Sequence, residues 1–237
     1  MAKIEFIPKF RHLAEAFPHP VPVTSMLPDW WKKQTTFFNN DQKPHNGLIN
    51  VTVKKCQAIF DSMTAGYYLL CPMDIYVDAT KSKLDIQLPK EYMSRYHQII
   101  STHSKEQLQE YPAPDGYHAD LFRIHPHWLV KTDKGYSSLF MQPMHLKTDI
   151  TAVPGFIDTD QYISDGYLSF FVPKGFVGTI KQGTPIVQVI PMRRDEWTSS
   201  INEDPHSDRL LEKQSSVVRS TFQNGYRMKF WSKKSYK

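Results

Sequence analysis

Cysteine is nearly missing from this 237-residue chain, which has only Cys56 and Cys71. With only these two, buried, reduced thiols are expected and a disulfide framework is not. No apolar run approaches the ~20 residues that a membrane helix needs. The longest runs, around Tyr67–Cys71 and Ile186–Met192, have the length of strands. The N-terminal residues lack the apolar core and small-residue cleavage site of a secretory signal, so none is expected. A large charge of either sign is lacking too: 29 Lys and Arg face 24 Asp and Glu, a formal charge of +5. An excess that small is no nucleic-acid footprint unless it is clustered. The chain also has no Walker-type loop, Gly-rich dinucleotide turn, zinc-finger spacing, internal repeat or low-complexity tract.

Hydrophobic residues make up 40% and aromatics 13%, which excludes disorder as the main state. A chain of this length forms one large domain or two small ones and needs no metal or disulfide to hold a core. Residues 1–47 carry Pro8, Pro18, Pro20, Pro22, Pro28 and Pro44, with Trp30, Trp31, Phe37 and Phe38 between them. This reads as an extended N-terminal arm that wraps its own core or a neighbouring subunit. Trp30 and Trp31 would anchor it; the alternative is a base-stacking platform.

Residues 48–200 read as the main β body. Leu48–Val53 is rich in β-branched residues and reads as a strand, and 55–65 suits a short helix ending at Gly66. Strands are expected at 67–71, 74–78, 84–88, 122–124, 128–132, 137–141, 166–172, 176–180 and 186–190, separated by Gly, Pro and Asp turns. Residues 89–115 are polar and read as a helical or loop excursion. Many short strands with little helix indicate an antiparallel sandwich or barrel. Residues 201–237 read as a helix over 205–222 followed by a tail that interleaves Lys and Arg with aromatics. That tail suits an edge laid on a neighbouring subunit or a phosphate-rich strand.

Three signals follow in order between Lys131 and Met192: Lys134-Gly135-Tyr136-Ser137-Ser138-Leu139, Pro154-Gly155-Phe156-Ile157-Asp158-Thr159-Asp160-Gln161-Tyr162, and Gly183-Thr184-Pro185-Ile186-Val187-Gln188. This order resembles the dUTPase/dCTP-deaminase superfamily, and Ala65–Leu69 is a weaker match to a further motif of it. The chain as a whole is similar to a group of tailed-phage proteins. The resemblance implies a dUTPase-like distorted antiparallel β-barrel. It assigns Asp158 to orient an attacking water and Tyr162 to pack on a deoxyribose. Ser137 and Ser138 would start a helix whose amides hold phosphate, and Gln188 would contact phosphate or a neighbour. Mg²⁺ would neutralise the phosphates, and the site would lie between subunits of a homotrimer. The chain departs from the pattern at Tyr136, where the family has Arg, at the extra Gln161, and in lacking a Gly-rich C-terminal lid.

These departures lead to an expectation of an assembly or structural module, such as a virion component, with the chemistry lost and no cofactor. It would sit in the host cytoplasm or virion, contacting other phage structural proteins and no membrane. The alternative is a divergent Mg²⁺-dependent deoxynucleoside triphosphate diphosphohydrolase or nucleotide-binding protein. A weaker alternative is a metal-dependent oxygenase built on His118-x-Asp120, with His125, His127, His145 and His206 as further candidates.

Overall fold

The structure, a computed structural model, describes residues 2–39, 50–89, 99–103, 105–108, 110–166, 168–204, 207–220 and 224–237. Leu48, Ile49 and His206 lie outside these residues. The chain is mainly β, and every strand pair among the described residues is antiparallel. It divides into two compact units that do not follow chain order. One is built from Met1–Val23 and Gly66–Arg194, the other from Thr24–Ala65 and Asp195–Lys237.

Among the described residues, the first unit holds all the strands. They are β1 (Ile4–Pro8), β2 (Val21–Pro22), β3 (Tyr67–Leu70), β4 (Ile75–Asp78), β5 (Asp85–Gln87), β6 (Ile100–His103) and β7 (Leu121–Ile124). Then come β8 (Trp128–Thr132), β9 (Tyr136–Met141), β10 (Thr151–Ala152), β11 (Gly155–Ile157), β12 (Leu168–Phe171), β13 (Val177–Ile180) and β14 (Pro185–Arg193). They form four sheets, in the orders β1-β8, β10-β12-β7-β6, β11-β9-β14-β3-β2 and β13-β4-β5. None of them closes on itself among the described residues, so the expected distorted barrel is corrected to separate sheets packed over one core. That core includes Leu69, Ile75, Phe122, Val130, Phe140 and Phe170. A fully buried side chain of this size contributes about 1.5–3 kcal/mol.

Two expectations are corrected locally. Residues 100–103 of the supposed helical or loop excursion form β6, which pairs with β7 from Ile100↔Ile124 to His103↔Leu121. The supposed strand over 48–53 is, in its described part, an isolated bridge between Val51 and Phe37 followed by a 3-10 turn over Val53–Lys55.

The first part of the N-terminal arm wraps its own core. β1 pairs with β8 in the register Ile4↔Thr132 to Pro8↔Trp128. Phe17 is buried and stacks on His127 with ring centres 4.5 Å apart, and the Trp128 indole donates to the Pro18 carbonyl at 2.9 Å. Gly66 opens β3 at φ +73, and a Cβ there would lie 2.0 Å from the Val189 carbonyl oxygen. Only glycine fits both the backbone angle and the approach of β14.

The second unit contains the helices Asp29–Lys33, Gln57–Thr64 and Ser207–Ser220. Trp31 is buried against Phe60, with ring centres 5.9 Å apart, whereas Trp30 is exposed. Cys56 is exposed, which corrects the expectation of burial, because it sits at the solvent-facing start of the helix Gln57–Thr64. Cys71, in the first unit, is buried, and burial pushes its thiol up to about 12. Among the described residues no helix is long and apolar enough to cross a membrane.

Candidate functional site

The motif residues meet at one end of the five-stranded sheet. Asp133, Lys134 and Gly135 turn the chain from β8 into β9, with Gly135 at φ +88. β9 pairs with β11 on one side, Ile157 facing Ser138, and with β14 on the other, Arg193 facing Tyr136. Residues 158–162 then form a tight helical turn in which the Gln161 and Tyr162 amides both donate to the Asp158 carbonyl, at 2.9 and 2.8 Å.

The side chains in this turn are bonded to one another. Ser137 Oγ donates to Asp158 Oδ1 at 2.6 Å. Arg194, just past β14, points its Nη1 at Asp158 Oδ1 (3.2 Å), Asp160 Oδ1 (2.8 Å) and Ser137 Oγ (3.1 Å), and its Nη2 donates to Asp160 Oδ2. The Gly135 amide also donates to Asp160 Oδ2, at 2.8 Å. The Arg194 guanidinium holds the Asp160 carboxyl at about 2, well below its ordinary 3.8. Beneath this clasp runs a buried hydroxyl ladder. Thr132 Oγ1 donates to the Tyr136 carbonyl (3.2 Å), so it accepts from Thr159 Oγ1 (2.8 Å), which in turn accepts from Ser138 Oγ (2.8 Å).

Ser137 and Ser138 lie on strand β9, which corrects the expected helix start, and both side chains are buried. The structure brings Ser137 to Asp158 and places Tyr162 in the same turn, half exposed. Gln188 is fully buried, and its Oε1 accepts from the Met144 amide at 2.8 Å, so it faces neither Asp158 nor solvent. Opposite it in the β3–β14 pairing is Tyr68, fully buried, whose hydroxyl has no partner among the described residues. Burial pushes the Tyr68 phenol up to about 12.

Sequence reasoning missed Arg194, Asp160 and Thr159. Arg194 was legible only by running the strand at 186–190 on to Arg193 and aligning its end with Tyr136. From just past β14 it brings a guanidinium to Ser137, Asp158 and Asp160. One guanidinium against two carboxylates leaves the cluster net negative, with Asp158 Oδ2 as the one clasp oxygen lacking a partner among the described residues.

The histidine candidates are spread over the first unit. His118 lines a groove of about 880 Å³ with Lys81, Lys83, His103, Asp120 and Lys174. Both of its nitrogens are engaged: Nε2 with the Lys81 carbonyl (3.1 Å), while Nδ1 accepts from the Asp120 amide (3.0 Å). The Asp120 carboxylate stands 4.0 Å from Nδ1. His125 lies 3.4 Å from Asp165 and 3.1 Å from Ser101. His127 is bonded to the Phe10 carbonyl at 3.1 Å, and burial lowers its pKa. No cluster of three or more His, Cys, Asp or Glu that could hold a metal occurs among the described residues.

A scan of the chain against protein-family models finds no match, and a search of curated proteins finds none.

Proposed function

We propose that this chain is an assembly module of a phage particle, built on a dUTPase-like β framework whose hydrolytic residues have become a structural clasp. The carrying observation is that the residues expected to hold water and phosphate bond to one another. Ser137 and Arg194 occupy Asp158 Oδ1, Ser138 is locked in a buried ladder, and Gln188 is buried under Met144. A triphosphate approaching this cluster meets two carboxylates and a guanidinium already engaged by them. Mg²⁺ needs open carboxylate oxygens. Here both Asp160 oxygens are taken by Arg194 and Gly135 and Asp158 Oδ1 by Ser137 and Arg194, which leaves Asp158 Oδ2 as the single clasp oxygen open to an ion among the described residues.

An assembly role accords with the apolar side chains beside the clasp. Phe156, on edge strand β11, is 66% exposed. It lies opposite Leu139, which lies opposite Ile190, so the three form one row across the outer face of the sheet. Tyr162, Ile163 and Met192 are exposed as well. A second and third copy of the chain would cover this row, in keeping with the homotrimer that the resemblance implies. The test is pyrophosphate release from a panel of deoxynucleoside triphosphates with Mg²⁺, run beside the mass of the protein in solution. The proposal expects a trimer and no release above that of Asp158→Asn. Release that the substitution abolishes would overturn it in favour of the hydrolase.

A further inference from the structure

The second unit holds a cluster of cations that the clasp does not use. Lys54, Lys55 and Arg227 share the wall of a pocket of about 340 Å³ with Trp31, Thr36, Gln57 and Phe60, and no carboxylate lines it. Each cation is oriented by a neutral partner. Lys54 Nζ donates to the Trp31 carbonyl and stands 4.8 Å from the centre of the Trp31 ring. Lys55 Nζ donates to Asn224 Oδ1 at 2.8 Å. The Arg227 guanidinium lies 5.9 Å from the Trp231 ring centre. The acid next to the wall, Asp61, is itself held by Lys234 Nζ at 2.6 Å and by the Trp231 indole.

Three like charges facing one small cavity repel, and an anion placed among them relieves that repulsion. A phosphate group suits the donor set: two ammonium groups, one guanidinium and the Thr36 hydroxyl around a tetrahedral oxyanion. Trp31 is buried beneath Lys54, so its ring is not a free platform for a base. From Lys213 to Lys237 every charged side chain is cationic, which continues the same preference along the chain.

We infer that this pocket binds a phosphate group without reading a base, taken from a free nucleotide or from the backbone of a single strand. The test is calorimetric titration of the full chain with inorganic phosphate, thymidine monophosphate, thymidine and a short single-stranded oligothymidylate. Lys55→Gln and Arg227→Gln should each weaken binding at least roughly tenfold. Lys229→Gln, outside the pocket wall, should change it less than about twofold. Binding of the free phosphates identifies a nucleotide site. Binding of the oligonucleotide alone, with the same sensitivity to both variants, identifies the strand backbone. Failure of all phosphate probes to bind would overturn the inference. So would equal binding of thymidine, or a Lys229→Gln loss matching that of Arg227→Gln.

Discussion

Replacing Thr159 with valine keeps the shape of a fully buried side chain and removes the central rung of the hydroxyl ladder. The Ser138 hydroxyl, also fully buried, then has no acceptor, and Thr132 loses its donor. A stranded buried donor costs about 1–3 kcal/mol, and a lost net hydrogen bond about 1 kcal/mol. Thr159→Val should therefore destabilise the first unit by about 2–4 kcal/mol. Ser138→Ala leaves an acceptor short of one donor and should cost about 1 kcal/mol. The double variant has no stranded donor, so it should cost about 2 kcal/mol, less than the two single changes together. Native-state hydrogen exchange at the Thr132 amide, which donates to the Thr159 carbonyl, reads the unit that carries the ladder. Simple additivity, or a Thr159→Val effect under about 0.5 kcal/mol, would refute a coupled ladder.

Tyr68→Phe removes a buried hydroxyl that lacks a partner, so stability should hold or rise by up to about 1 kcal/mol in urea unfolding; a loss larger than that would mean the hydroxyl is bonded. The folded-state value of Asp160 lies below its ordinary one, so its contribution is full above 3.8 and is lost as pH falls towards about 2. Asp160→Asn should flatten the acid limb of stability over that window, as measured by unfolding midpoints at successive pH values, and an unchanged limb would remove Asp160 from the account.

Much of the fold was legible because period-two apolar runs coincide with strands. Trp128–Thr132 is read at both ends, and the helix ending before Gly66 is marked by the one residue that fits there. β1 was not legible, because Pro8 and the neighbouring charges disguise a strand whose partner, β8, is remote in sequence. The separation into four sheets was hidden for the same reason: alternation reports a buried face but not which strand lies alongside. In the site, Ser137 and Asp158 were visible as motif residues, and their contact was not. It depends on the β9–β11 register and on Arg194 reaching across from the end of β14. Sequence spacing carries the residue types of a site, whereas the partner that neutralises them comes from cross-strand pairing.

The measurement that bears most directly on the clasp is pyrophosphate release by the wild-type chain and by Asp158→Asn, with Mg²⁺ and each deoxynucleoside triphosphate in turn. The clasp account predicts that the two proteins give the same background with every substrate. Turnover by the wild type that Asp158→Asn abolishes would contradict it and make Asp158 Oδ2 the working base of an active hydrolase.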